Sequence, residues 1–192
     1  MKKLIYISIA GTLILSACSG HADPKSDTYA SDTKDAAKDA NKTDAAVDQQ
    51  VSNFMVEAAS SGMMEVELGQ MAQRNAASQQ VKDFGSMMVT DHSKANEELK
   101  AIASAKNVTL PPMPEGKHRD HMTELGKMSG SEFDKEYMNM MVKDHAEDIA
   151  KFERAANSND ADVKAFANKT LPVLRAHHEK AKGIQQQLNG NK

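Results

Sequence analysis

The sequence has no tryptophan, few other aromatic residues and a single cysteine, and these shortages limit what the chain can build. One cysteine excludes an intramolecular disulfide and a metal site made of several thiolates. A net charge of −3, spread over mixed signs, gives no basic surface, so we expect no nucleic-acid partner. Alanine, leucine and thirteen methionines dominate the apolar content instead, and these residues favour helices over strands.

The first seventeen residues are predicted to be a lipoprotein signal peptide rather than part of the fold. Two lysines follow Met1, and the apolar run over residues 4–15 is too short to span a bilayer as a helix. Residues 15–18, Leu-Ser-Ala-Cys, resemble the lipobox of bacterial lipoproteins, which implies cleavage before Cys18 and lipid on its thiol. Ser19, where the enterobacterial sorting rule would need Asp for the inner membrane, implies by that resemblance the outer membrane facing the periplasm, with the inner membrane as the alternative. The alternative is an ordinary secretory signal with an incidental cysteine.

Residues 18–48 are rich in Asp, Lys, Ala, Thr and Ser, with Tyr29 as their one aromatic residue. Such a segment buries too little apolar surface to offset the entropy lost on ordering. We therefore predict a disordered tether, with at most a weakly helical stretch near residues 34–42. The tether would join the lipid anchor at Cys18 to a single folded domain over residues 49–188.

A six-residue phrase occurs twice in this domain. Residues 87–92 are MMVTDH and residues 140–145 are MMVKDH, so five of the six positions are identical. Both copies lie in runs whose apolar residues recur every three or four positions, which is the period of an amphipathic helix. A histidine and the methionine four residues before it share one helix face. The repeat predicts two helices that each turn a thioether and an imidazole inward.

The same periodicity extends over four segments, and the breaks between them predict their order in space. The connection over residues 107–128 contains three prolines and is long enough to run the length of a bundle. It favours an antiparallel four-helix bundle with an up-down-down-up order over simple up-down-up-down. We predict helices over about residues 49–73, 79–106, 131–157 and 161–188.

One polar residue from each predicted helix lies on the inward stripe: Glu65, His92, His145 and His177. Counting along the helices places all four in the middle third of the bundle. Burying such groups costs several kcal/mol unless each finds a partner. A hydrogen-bond network would supply the partners, and so would a transition metal, because imidazole suits Zn, Cu, Fe and Ni. The residues alone do not decide between a hydrogen-bond network and a metal site.

Neighbouring side chains extend the candidate metal site. Thioethers favour Cu(I), although methionine also serves as a flexible filler of cores. Additional candidate ligands are Met88, Met141 and Asp148. Asp91 and Asp144, one position before His92 and His145, are expected to be surface charges, with a role as hydrogen-bond acceptors beside the metal ligands as the alternative. We expect His118, His121 and His178 to face solvent.

Five short phrases between residues 54 and 181 resemble those of a known family. They are EVELG, MVTDH, FDKEY, MVKDH and LPVLRAH, which begin at residues 65, 88, 133, 141 and 171. The family they resemble is the ferritin-like bacterial envelope family known as domain of unknown function 4142, sometimes labelled predicted outer membrane protein. The resemblance implies a ferritin-like four-helix bundle and no established reaction.

The chain departs from true di-iron ferritins where those proteins hold iron. Di-iron bundles place a glutamate three residues before each metal-binding histidine. Here those positions hold Val89, Val142 and Leu174. We therefore interpret the protein as a non-enzymatic, lipid-anchored envelope bundle that binds Cu, Zn or Fe in its core, in metal handling or stress. The alternatives are a structural or protein-interaction module with a purely hydrogen-bonded polar core, and a metal-dependent oxidoreductase.

Overall fold

A computed structural model describes residues 32–42 and 48–190 of the chain. Within these ranges the chain forms six α-helices and no β-sheet, and no described helix is long and apolar enough to cross a bilayer. The predicted signal peptide and the predicted lipidation site, Cys18, lie outside the described residues. The helices are α1 (Asp32–Lys42), α2 (Gln49–Asn75), α3 (Gln79–Ala105), α4 (Lys117–Leu125), α5 (Gly130–Ala155) and α6 (Ala161–Gly190).

The four long helices are those that the periodicity predicted, and each predicted end lies within two residues of the observed one. Local chemistry fixes several of these ends. The Asp48 side chain accepts a hydrogen bond from the Gln50 amide and caps α2. Asp160 caps α6 by accepting from the amides of Asp162 and Val163. Helix α6 continues through Pro172, which lies in its interior.

The four long helices run in an up-down-down-up order. Short turns make α2 and α3 one antiparallel pair, and α5 and α6 another. The turn between α2 and α3 contacts the start of α5, because the Asp134 carboxylate accepts from the amides of Ala77 and Ser78 at 3.1 and 2.9 Å. Helices α3 and α5 therefore begin at the same end of the molecule and run in the same direction, as the long connection predicted.

Helices α2 and α3 approach closely where two glycines face each other. A Cβ atom on Gly85 would lie 2.6 Å from the Gly69 carbonyl oxygen and 2.7 Å from the Ala72 Cβ. Because a side chain at either position would force the helices apart, the glycines set their separation. His92 lies two turns beyond Gly85 on the same face of α3, so this contact also places His92 in the interior.

A polar layer divides the core into two apolar clusters. The layer is formed by Glu65, His92, His145 and His177, all of which are buried. On each long helix these residues lie between members of the two clusters. The first cluster, toward the α2–α3 turn, includes Leu68, Phe84, Met88, Tyr137, Met141 and Ala181. The second cluster, toward the α5–α6 turn, includes Met55, Ala59, Leu99, Phe152, Phe166 and Leu174.

Part of the predicted tether is folded onto the bundle. Ala37 is buried, and Lys38 forms an ion pair with Glu57 of α2 at 2.8 Å. The Asn41 amide donates to the Thr109 carbonyl and accepts from the Thr109 amide, at 3.1 and 2.9 Å. The prediction of disorder is therefore wrong for Asp32–Lys42, whereas the helical tendency near residues 34–42 is confirmed. Tertiary contacts order a segment that its composition alone would leave unfolded.

Candidate metal centre

Helices α3, α5 and α6 bring three histidines together at the centre of the polar layer. One ring nitrogen from each of His92, His145 and His177 lies within 4.8 Å of those of the other two. The ring centroids are 5.5 to 5.7 Å apart, so each imidazole contacts both others. The side chains are 7, 1 and 2% exposed. The sequence predicted that these residues face inward, which their burial confirms. Their convergence into one group is a finding of the structure.

The hydrogen bond of His145 fixes which nitrogen carries the proton. Its Nδ1 lies 3.0 Å from the Met141 carbonyl oxygen, one turn earlier on α5. Because a carbonyl only accepts, Nδ1–H is the donor and Nε2 holds the free lone pair. Nε2 is buried and has no hydrogen-bond partner among the described residues. It is therefore available to bind a metal ion.

The same argument applies to His177, with the two nitrogens exchanged. Its Nε2 lies 2.9 Å from the Asp91 carboxylate, which accepts the Nε2–H. The lone pair is then on Nδ1, which is buried and unpartnered within the described chain, like the Nε2 of His92. A carboxylate behind an imidazole is the arrangement that orients metal-binding histidines. The side chain of Asp91 is 39% exposed, as expected of a surface residue, but it also accepts the hydrogen bond from His177, which was the alternative.

Burial keeps the three imidazoles neutral at neutral pH. It lowers the pKa of His92 well below its usual range, and the nearby His145 and His177 lower it further. Burial, followed by the neighbouring His177, lowers the pKa of His145 to about 4. Burial also lowers the pKa of His177, although the Asp91 carboxylate opposes that shift. Each ring thus offers a lone pair, which is the form that binds metal ions.

Glu65 lies in the same polar layer but is not one of the three residues whose ligand atoms converge. It is fully buried, and its Oε1 is 3.7 Å from His145 Nδ1, which is too long for a hydrogen bond. The lone pair that is free to bind a metal is on the other ring nitrogen, Nε2. Burial raises the pKa of Glu65 well above its usual value, and the charges of Asp148 and Asp144 raise it further. Glu65 is outside the group of three nitrogens, so its place as a fourth ligand stays a prediction.

The other predicted ligands have different surroundings. Met88 and Met141 are fully buried in the first apolar cluster. Asp148 accepts hydrogen bonds on both carboxylate oxygens, from Ser61 at 2.5 Å and from Lys151 at 2.9 Å. Because its oxygens already have donors, Asp148 ties α5 to α2. A metal-binding role for these three residues stays a prediction.

Two residues expected at the surface are buried, and the reason is the connection between α3 and α5. Residues 117–125 of this connection form the helix α4, which was not among the predicted helices. His118 is 2% exposed, and its Nδ1 lies 2.8 Å from the buried Ser60 hydroxyl on α2. Asp144 is 4% exposed under α4 and contacts His121 at 3.2 Å. His118 and Leu125 are seven residues apart, and this spacing was the available sign of a buried face on α4.

A small cleft between α3 and α6 leads from the surface to the histidines. It has a volume of about 120 Å³. His92 and His177 line its inner part, whereas His145 does not border it. The remaining lining residues are Asp91, Lys94, Ala95 and Glu98 of α3, and Lys169, Thr170, Val173 and Leu174 of α6.

Comparison with known proteins gives a family but no relative of known activity. No curated protein and no solved structure matches the chain. A family model matches residues 36–184, a span that begins within α1 and ends within α6 and so contains every residue of the polar layer. The chain therefore belongs to the family described as Domain of unknown function (DUF4142), the family its short phrases indicated.

Proposed function

We propose that this protein is a lipid-anchored protein of the bacterial cell envelope whose ferritin-like bundle binds a transition metal through His92, His145 and His177. The observation that carries the proposal is the convergence of one ring nitrogen from each of three buried histidines within 4.8 Å. Each of these histidines also has a buried ring nitrogen without a hydrogen-bond partner among the described residues. The up-down-down-up order with a long crossover supports the ferritin-like description. Metal handling or a stress role, rather than catalysis, is the function we propose.

The geometry requires little rearrangement to hold an ion. Nitrogen ligands lie about 2.0–2.1 Å from zinc in a tetrahedral site, which places them roughly 3.4 Å from one another. Nitrogens within 4.8 Å of one another reach those positions by moving inward by about 1 Å or less. Rotations of the imidazole rings supply such a movement, and the Met141 carbonyl and Asp91 limit its direction.

The ligand chemistry favours zinc or copper, with iron as the third candidate. Three neutral imidazoles without a thiolate are borderline donors that suit all of these ions. Iron chemistry of the ferritin type needs bridging carboxylates, and the group of three contains none. Glu65 is a buried carboxyl group 3.7 Å from His145, and burial raises its pKa and so favours its neutral form.

A purely hydrogen-bonded core accounts less well for the same atoms. A network of neutral imidazoles needs an N–H or O–H donor for each free lone pair. Among the described residues no donor reaches His92 Nε2, His145 Nε2 or His177 Nδ1. A buried polar atom without a partner costs about 1–3 kcal/mol, and each of the three histidines has one. A cation at the centre satisfies all three at once.

Metal content tests the proposal directly. Protein purified without a histidine tag, loaded with zinc or copper and then desalted, is expected to retain one ion per chain by elemental analysis. Retention should fall to background in a variant with His92→Leu and His145→Leu. A wild-type protein that retains no ion after exposure to Zn, Cu and Fe in turn would refute metal binding and leave the structural module as the better account.

The envelope part of the proposal rests on the N-terminal sequence and has its own test. Cells fed radioactive palmitate are expected to label the wild-type protein and not the Cys18→Ser variant. The variant should also leave the membrane fraction, because several acyl chains are what make such an anchor durable. Equal membrane attachment of both proteins would contradict the lipid anchor.

The Asp91 carboxylate is expected to tune the affinity for the metal. Asp91→Asn leaves a neutral acceptor behind His177 and should weaken metal binding by about 10- to 100-fold, the usual effect of losing such a partner. The repeat offers a matched control, since Asp144 occupies the same position in the second copy but contacts His121 instead of a core histidine. Titration calorimetry should show a loss for Asp91→Asn and near wild-type affinity for Asp144→Asn. Equal losses would contradict the specific role of Asp91.

A further inference from the structure

The cleft between α3 and α6 reaches the histidine group from one side. His92 and His177 border it, while His145 and Glu65, from α5 and α2, lie on the side away from it. An ion held by the three nitrogens would therefore have protein on the α2 and α5 side and the cleft on the other. The ion's next coordination position would face the cleft.

The size of the cleft restricts what reaches that position. At about 120 Å³ it holds a few water molecules or a ligand of a few atoms. Sites for drug-sized molecules are about 300–1,000 Å³. Ala95, Val173 and Leu174 give the cleft apolar walls, so a bulky or highly charged molecule would lose hydration without gaining partners.

The charge of the site favours an anion. Charges at the rim cancel, because Asp91 and Glu98 balance Lys94 and Lys169, and Glu98 and Lys169 form an ion pair at 2.6 Å. The attraction thus comes from the ion itself, a divalent cation with three neutral ligands. A buried net charge of this kind gains from an anionic partner.

We propose that the metal centre keeps an exchangeable coordination position that binds a small anion entering through the cleft between α3 and α6. The inference rests on the proposed metal site and specifies it further. A sealed structural centre would have four protein ligands, whereas three protein ligands and an open path are typical of centres that exchange a ligand. The ligand class is an anion of a few atoms that binds through a single donor atom.

Azide is a suitable probe, and copper(II) a suitable ion, because copper(II) forms the tightest complexes of the divalent first-row series. Protein loaded with one equivalent of copper(II) is titrated with sodium azide. We expect a new azide-to-copper absorption band that saturates with one azide per ion. Copper that stays bound with no spectral response to azide would overturn the exchangeable position and leave the metal site intact. A protein that binds no copper would overturn both.

The route is tested with a matched pair of exposed apolar residues. Val173, 38% exposed at the cleft, and Met113, 53% exposed in the connection between α3 and α4, are each changed to tryptophan. Val173→Trp should weaken azide binding by about tenfold or more while copper stoichiometry stays at one, and Met113→Trp should change neither. If the Val173→Trp variant loses copper, the Ala95→Leu variant is tested in its place, because it narrows the same cleft from α3. Azide binding that is unaffected by narrowing the cleft would refute the route.

Discussion

Saturating zinc is expected to raise the free energy of unfolding by about 4 kcal/mol when free zinc is about 1,000 times its dissociation constant. A ligand that binds the folded chain alone shifts the equilibrium by this amount, and three preoriented imidazoles exist in the folded chain alone. For a domain of this size, 4 kcal/mol corresponds to roughly 8–16 °C in melting temperature. Thermal unfolding at several zinc concentrations, followed by circular dichroism, measures the shift.

A double variant separates the stabilisation by zinc from the stability that core packing gives without metal. His92→Leu with His145→Leu should abolish the zinc-dependent shift, because one nitrogen cannot hold the ion in the core. Without metal the variant should be about as stable as the wild type or more stable, since apolar residues replace buried polar groups that lack partners. The control changes His121 and His178, both partly exposed, to leucine and should retain the shift. A zinc shift that survives in the core variant would contradict the site.

The metal-free protein is expected to lose stability steeply as the pH falls from about 6.5 to about 4. Burial lowers the pKa of His145 to about 4, so in this range the unfolded chain binds a proton that the folded chain does not. Stability then falls with decreasing pH, and for His145 alone the loss is about 3 kcal/mol. His92 and His177 act in the same direction, because burial lowers their pKa values too. Urea unfolding at a series of pH values measures the slope.

The carboxyl group of Glu65 changes the stability with pH in the opposite sense to the histidines, and it serves as the control. The pKa of Glu65 is raised by burial, so above about pH 4.5 the folded chain holds a proton that the unfolded chain has lost. Its contribution is present at low pH and disappears as the pH rises through the raised pKa. His145→Leu should flatten the acid limb of the profile, and Glu65→Gln should flatten the decline at higher pH. Equal stability of the Glu65→Gln variant at pH 4.5 and 7, where the opposing carboxyl group is absent, would contradict neutral, buried histidines.

The sequence predicted the long helices and the inward histidines because both follow from local periodicity. His92 and His145 occur in a repeated phrase, and spacing along each helix is enough to put them on a buried stripe. The order of the helices followed from the length of one connection. Each of these signals is contained in a short stretch of chain, so no knowledge of the tertiary structure was needed.

The surroundings of the histidines could not be predicted in the same way. Asp91 binds His177, which is 86 residues away, and that pairing depends on the rotation of two helices about their axes. Periodicity gives the face of a helix only to within about one residue. The burial of His118 and Asp144 depends on α4, whose few apolar residues give a weak signal. Asn41 likewise orders α1 by pairing with a distant backbone group at Thr109.

X-ray absorption at the metal edge of zinc- or copper-loaded protein tests the central claim most directly, because it counts the ligands and identifies them. The site described above predicts three imidazole nitrogens at about 2.0–2.1 Å and one further light atom. The His92→Leu and His145→Leu variant should give only the spectrum of the hydrated ion. A spectrum with one imidazole or none in the wild-type protein, dominated by carboxylate or water oxygens, would show that the ion binds elsewhere and would contradict the metal centre.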